Sequence, residues 1–227
     1  MASEVLRRGS ERSLAFFIGI QYPEVVRAFQ AEKVLKPKNS EAFRLPIDFS
    51  PYTPVDLEIG CGVGLHPIQY AKANPDRFLI AIEHTREKFE KFRGRLDRHP
   101  ELKNILAVHA DAVAWTTYCL EPSSISRCFI LYPNPNPKAP SKRWFRMPFM
   151  SKLIECLKPE GEITLATNIE GYFDEAMTFG TQEWALQLLS RSEITLSAGL
   201  KPRTHFEKKY LERGEVCFDA VFRKTIS

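Results

Sequence analysis

The residues best suited to chemistry begin at Glu58-Ile59-Gly60-Cys61-Gly62-Val63-Gly64, where an acid and three glycines alternate at the end of an apolar run. Glycine at such spacing lets the backbone turn sharply and approach a ligand closely. Two further acids, Glu83 and Asp111, also follow short apolar runs. A carboxylate about 20 residues beyond a glycine loop is placed to accept both hydroxyls of a ribose. An acid at the next strand end can accept from the exocyclic amine of adenine. Any one of these acids alone reads as a helix cap or a surface group. Glu58, Glu83 and Asp111 at successive strand ends instead point to one rim that holds a nucleoside-like ligand. A second segment, Tyr132-Pro133-Asn134-Pro135-Asn136-Pro137-Lys138, alternates proline with polar residues. Proline fixes its own φ and restricts the residue before it, so this loop is stiff. It holds Asn134 at a strand end, where a transfer reaction needs a positioned group.

These residues require a scaffold that brings strand ends together. Apolar strands read at 55–59, 78–82, 105–108, 128–132 and 162–166, with helices at 66–73, 86–98 and 141–157 between most of them. This alternation implies βαβ units and a mostly parallel sheet. Lys158-Pro159-Glu160-Gly161 is a turn before the fifth strand. Residues 169–179 and 181–190 read as helical, and 216–222 as a final antiparallel strand. The expected fold is α/β and Rossmann-like, of the class I methyltransferase form: seven strands, mostly parallel, closed by a C-terminal antiparallel hairpin, with helices on both faces. Residues 1–52 read as an N-terminal arm with a helical patch at 24–34, and 53–227 as the catalytic domain.

The glycine spacing selects among ligands. A dinucleotide fingerprint needs its third glycine three residues after the second; here that position is Leu65, and Gly64 comes one earlier. Glu-x-Gly-x-Gly-x-Gly is the form typical of enzymes that use S-adenosylmethionine, which has no pyrophosphate to cradle. Together with loop 132–138, Ala166-Thr167-Asn168 and Thr204-His205-Phe206-Glu207, the sequence over residues 55–224 resembles the bacterial tRNA (guanine-N7)-methyltransferase family. The resemblance implies that Glu58, Gly60, Gly62, Gly64, Glu83 and Asp111 bind S-adenosylmethionine. It also implies that Lys138, Asn168, Thr204 and Glu207 serve the nucleotide, with Asn134 in the catalytic position. Lys138 can pair with a phosphate, Glu207 can accept from the Watson–Crick edge of guanine, and Thr204 can cap the helix that carries it. The sequence departs from the family at the acceptor. The family loop reads Phe-Pro-Asp-Pro-Trp-Pro-Lys, whereas this chain has Asn134 and Asn136, and the family's Thr-Asp is Thr167-Asn168. Guanine N7 carries a lone pair and no proton, so methylation there needs no general base. An acid stabilises the positive charge that develops on the base, and an amide does so less well.

Composition narrows the setting. The hydrophobic share of 44% against 26% charged suits a folded core. No apolar run reaches the roughly 20 residues of a membrane helix, and residues 14–20 lack the features of a signal segment. Five cysteines without a CxxC pair imply free thiols in a reducing cytoplasm and no metal site. The net charge is +4, with basic groups at Arg7, Arg8 and Arg12, at Lys33, Lys36 and Lys38, along 86–98, and at Lys138, Lys142, Arg143 and Arg146. The last four are the expected RNA surface beside the proline loop. Two alternatives remain: a methyltransferase for another nitrogen or a small molecule, and a cofactor- or RNA-binding protein with impaired catalysis. A nicotinamide oxidoreductase is the least favoured reading, given the glycine spacing and the absence of a catalytic Tyr-x-x-x-Lys pair.

Overall fold

The computed structural model describes residues 26–36 and 54–225. Seven strands form one sheet: β1 (Val55–Ile59), β2 (Phe78–Glu83), β3 (Ile105–His109), β4 (Ile125–Leu131), β5 (Leu157–Thr167), β6 (Gln187–Ile194) and β7 (Cys217–Arg223). Their order is β3-β2-β1-β4-β5-β7-β6. Strands β1 to β5 run parallel, and β7 pairs antiparallel with both β5 and β6. The expected mostly parallel sheet with its antiparallel hairpin is therefore present. Chain order runs outward one way from β1 through β2 to β3, and the other way through β4 to β5. The reversal lies between β1 and β4, and ligands of open α/β sheets bind outside the carboxyl ends of strands at such a switch.

Helices cover both faces, and the strands show why. In β1, Val55, Leu57 and Ile59 join the larger core, as do Phe78, Ile80 and Ile82 of β2. Alternate side chains point to opposite faces, so Leu79 and Ala81 enter the cores on the other side. The larger core is covered by α3 (Ala112–Cys119), α4 (Phe149–Cys156) and α5 (Glu170–Thr178), through Trp115, Phe149, Leu153 and Phe173. The opposite face receives α1 (Leu65–Ala73), α2 (Arg86–Leu96) and α6 (His205–Glu212), through Ile68, Phe92 and Leu211. No helix among the described residues is long and apolar enough to cross a membrane.

Four expectations are corrected. Residues 181–190 are not helical: a π-turn at Phe179–Glu183 leads into edge strand β6. Ala185, at φ 49°, breaks the helical path between them, and pairing with β7 then sets the conformation. The helix read at 141–157 is two 3₁₀ turns, Pro140–Lys142 and Trp144–Arg146, followed by α4 after Pro148. Pro148 explains the late start, because proline fits a helix entry and not its interior. Helix α3 lay unread between β3 and β4. The patch at 24–34 contains, among the described residues, one 3₁₀ turn at Ala31–Lys33. That segment lies on the larger core through Val26 and Phe29; the rest of the expected arm and its boundary at 52 and 53 lie outside the described residues. The turn at 158–161 is present as a bulge within β5, where pairing with β4 slips between Ile125 and Arg127 and Glu160 takes φ 60°.

Candidate active site

The glycine loop joins β1 to α1, and all three of its glycines have positive φ: 76° at Gly60, 61° at Gly62 and 82° at Gly64. Side chains rarely adopt this region. At Gly64 the requirement is doubled, because an added Cβ would lie 2.0 Å from the Phe92 ring of α2. A Cβ at Gly60 or Gly62 would meet no protein atom within 4 Å, so these backbones border open space.

That space is a cleft of about 210 Å³. The glycine loop with Glu58, Leu65 and His66 forms one wall. Leu131 at the end of β4 and Lys88 of α2 contribute, and residues 204–206 at the start of α6 lie across it. The cleft sits at the switch between β1 and β4. Lys88 Nζ stands 5.8 Å from the centre of the Phe206 ring, and Arg95 lies 2.7 Å from His205 Nε2. These contacts tie the 204–206 segment to α2. Burial and the neighbouring Arg95 and Lys208 hold the His205 pKa below its ordinary value. The neutral ring can therefore accept from Arg95.

The three rim acids differ. Glu58 is 2% exposed and bonds to His66 Nδ1 at 2.7 Å. Glu83 is also buried, and each of its oxygens accepts one backbone N–H, from Gly62 at 2.9 Å and from Thr85 at 2.7 Å. Its carboxylate thereby fixes the glycine loop and the start of α2, while each oxygen retains capacity for another donor. Asp111 is exposed and caps α3, accepting from Ala114 N–H at 2.9 Å. The structure brings Glu58, Gly60, Gly62 and Thr204 together in the cleft wall, with Glu83 bonded to that wall from beside it. Asp111 stands at the adjoining strand end, where Ala110 N–H bonds to Glu83 O at 3.2 Å.

The proline loop leaves the cleft wall directly after Leu131. Its start is pinned by Tyr132 N–H to Ala166 O at 2.7 Å. Asn134 Oδ1 accepts from Asn136 N–H at 3.0 Å, and Asn136 Nδ2 donates to the Asn134 and Lys142 carbonyls at 3.0 and 3.3 Å. The two amides thus hold the loop's own shape, and Asn136 sits at φ 43°, which asparagine tolerates. Lys138 and Lys142 are exposed. Arg143 and Arg146 are not free for RNA in the way the sequence suggested. Both guanidinium groups pair with Glu175, at 2.9 and 3.4 Å, and they lie over the rings of Tyr172 and Phe179.

The remaining expected substrate residues have internal partners too. Thr204 accepts from Glu207 N–H at 3.0 Å and caps α6. Glu207 is 2% exposed and accepts from Arg203, whose other arm reaches Asp219 at 2.6 Å. Asn168 donates to Glu215 at 2.8 Å. A carboxylate therefore stands beside the position where the family carries one, supplied by a neighbour. His66, Lys88, His205 and Phe206 also line the cleft and were not singled out from sequence. The available signal was their placement directly after the glycine loop, one turn into a helix, and between two site residues. Among the described residues no group of three or more His, Cys, Asp or Glu can hold a metal.

A sequence-family profile for putative methyltransferases matches residues 52–220. A tRNA (guanine-N7)-methyltransferase of Mycobacterium leprae is 30% identical over 179 residues, covering 78% of this chain and 77% of that one. The chain belongs to this methyltransferase family. A namesake in Nitrosospira multiformis is 29% identical over 204 residues, covering 86% of this chain and 87% of its own. The fold of the methyltransferase is also that of a solved 16S rRNA methyltransferase, with TM-score 0.59 at 17% identity over 91% of this chain and 99% of the other. The cofactor of this S-adenosylmethionine-dependent enzyme suits the cleft, where Gly60 and Gly62 leave backbone open to a ligand and buried carboxylates stand beside them.

Proposed function

We propose that this chain methylates tRNA at an acceptor site altered from the guanine-N7 type, and that it acts in the cytoplasm. Relatives named as tRNA (guanine-N7)-methyltransferases support the substrate class. The observation that carries the altered acceptor site is a neutral amide, Asn134, in the catalytic position, with its side-chain oxygen turned to Asn136 N–H of its own loop. One lone pair of that oxygen is thereby taken.

S-adenosylmethionine, when bound, supplies an electrophilic methyl group on a sulfonium. The residues of the chain then have these roles. Glu83, oriented by Gly62 and Thr85 N–H groups, accepts the ribose hydroxyls. Glu58 serves the amino-acid end, and Asp111 keeps the oxygen that Ala114 does not occupy for the adenine amine. Loop 132–138 presents the acceptor next to the cleft, and its stiffness limits the positions that acceptor can take. Lys138 and Lys142 offer charge to phosphates. A nitrogen with a lone pair needs no base, so a neutral loop allows transfer while stabilising the developing charge less.

The test is transfer of labelled methyl to bulk tRNA, followed by mass analysis of its nucleosides, beside the Mycobacterium leprae relative. Label should enter tRNA with a lower yield of 7-methylguanosine than the relative gives. An unlabelled tRNA pool would remove the RNA substrate. An equal yield of 7-methylguanosine would remove the altered acceptor site.

A further inference from the structure

Strand β6 ends the sheet on its β7 side, and every residue of it but Ile194 is exposed. The pairing pattern shows which of its backbone groups lack a partner. Lys224 N–H donates to Gly161 O at 2.8 Å. Backbone groups alternate sides along an antiparallel strand, so Phe218, Ala220 and Phe222 of β7 face β5, and Cys217, Asp219 and Val221 face β6. Their partners on β6 are Ile194, Ser192 and Ser190. The N–H and C=O groups of Arg191 and Glu193 therefore point outward along the free edge. Natural edges are guarded by lysine, proline or bulges. Residues 187–197 contain neither lysine nor proline. The bulge of β6, between Leu188 and Ser190, lies at one end and leaves 190–194 in regular register.

The side chains of this edge complement themselves. Arg191 lies over the Phe173 ring of α5 at 5.4 Å, and Glu193, two residues on, shares that face. A twofold axis at Ser192 sets Arg191 of each copy opposite Glu193 of the other. Both pairs are of the hydrogen-bonded kind, exchanging N–H and C=O groups. The same register brings Leu196 of one copy, 59% exposed, to the Leu188–Leu189 end of the other, where the two leucines are 36% and 37% exposed. The link of Arg191 to Asp174 at 3.6 Å joins two groups that are more than half exposed, so it leaves the guanidinium free to turn toward another carboxylate. Glu193 has no ion pair of its own among the described residues. We propose that β6 is the interface of a homodimer, in which two copies of this chain pair antiparallel along 188–196 and join their sheets into one. The cleft at β1 and β4 lies beyond β7 and β5, so each copy keeps its own.

Sedimentation velocity on the full chain over a range of concentrations tests it, with hydrogen exchange of single amides beside it. The wild type should reach the mass of a dimer, and the Arg191 and Glu193 amides should exchange more slowly in the dimer than in the monomer. Arg191→Glu or Glu193→Arg alone turns opposite-charge pairs into like-charge pairs and should raise the dissociation constant about ten-fold or more. Arg191→Glu combined with Glu193→Arg should restore association, although it does not restore the contact with Asp174. The Ser192 amide, which faces β7, should stay protected in every form. A wild type that remains monomeric at millimolar protein would overturn the inference, and protected 191 and 193 amides in that monomer would mean that another segment of the chain covers the edge. A dimer indifferent to both single variants uses another face, and a double variant that does not regain association removes the charge register; either result also overturns it.

Discussion

The glycine-loop end and the proline-loop end of the sheet use similar residue types in opposite ways. At the glycine loop, Glu58 and Glu83 are buried at the cleft, and their bonds hold them in place while leaving capacity for a ligand. Of the residues expected at the acceptor, Asn134 and Asn136 bond to each other within the proline loop, and Asn168, Thr204 and Glu207 bond to Glu215, to Glu207 N–H and to Arg203. Burial without enough internal partners is a feature of a binding site, since an unmatched buried acid is costly. A polar residue with every partner inside the fold is first a structural element. On the proposed reading, this chain keeps the family's donor site and has a changed acceptor site.

The largest expected effect breaks the glycine-loop side. Gly64→Ala must place a methyl against the Phe92 ring at φ 82°. Overpacking and positive φ together should cost about 2–4 kcal/mol of stability in urea unfolding. An unchanged midpoint would show that the loop can relax there. Next, Glu83→Ala removes the carboxylate proposed to accept the two ribose hydroxyls. Affinity for S-adenosylhomocysteine should fall by about 2 kcal/mol, or roughly 30-fold. Calorimetry showing equal affinity would separate Glu83 from the ligand.

The proline-loop side can be sharpened by restoring charge. Asn134→Asp retains the oxygen that accepts from Asn136 N–H, so the loop should survive the change. It should raise the 7-methylguanosine yield in tRNA about ten-fold through stabilisation of developing charge. Asn168→Asp should help less or do harm, because it places a second carboxylate where Asn168 now donates to Glu215 at 2.8 Å. A larger gain from Asn168→Asp than from Asn134→Asp would reverse this assignment.

The smallest effect concerns pH. Folding lowers the His205 pKa from its ordinary 6.5, so the contribution of neutral His205 is present above that value and is lost as pH falls through the folded pKa. The tie from Arg95 to the 204–206 segment should loosen in acid. A ring-proton NMR titration should give a His205 midpoint below 6.5, and Arg95→Ala should move it upward. A midpoint above 6.5 in the wild type would contradict the Arg95 contact.

Much of this was legible in the sequence, for physical reasons. The glycine pattern was legible because positive φ at Gly60, Gly62 and Gly64 leaves few other residues possible, and Glu58 and Glu83 stood out as acids in or at the end of apolar runs. The parallel strands were legible because buried strands read as short apolar runs. Edge strand β6 was not, because Leu186, Leu188 and Leu189 read as readily on a helix and only pairing with β7 decides. Helix α3 was missed because Ala112-Val113-Ala114-Trp115 is apolar on all sides, although Asp111 marked its start. The Thr204 and Glu207 roles were obscured because Arg203, four residues before Glu207, takes that carboxylate inward. No property of the Thr-x-x-Glu element alone reveals that pairing.

The central claim is that the glycine-loop end is a formed cofactor site. Calorimetric titration of S-adenosylhomocysteine into the wild-type protein tests it most directly. The account predicts saturable one-to-one binding that Glu83→Ala weakens. Absence of binding at millimolar ligand would contradict it.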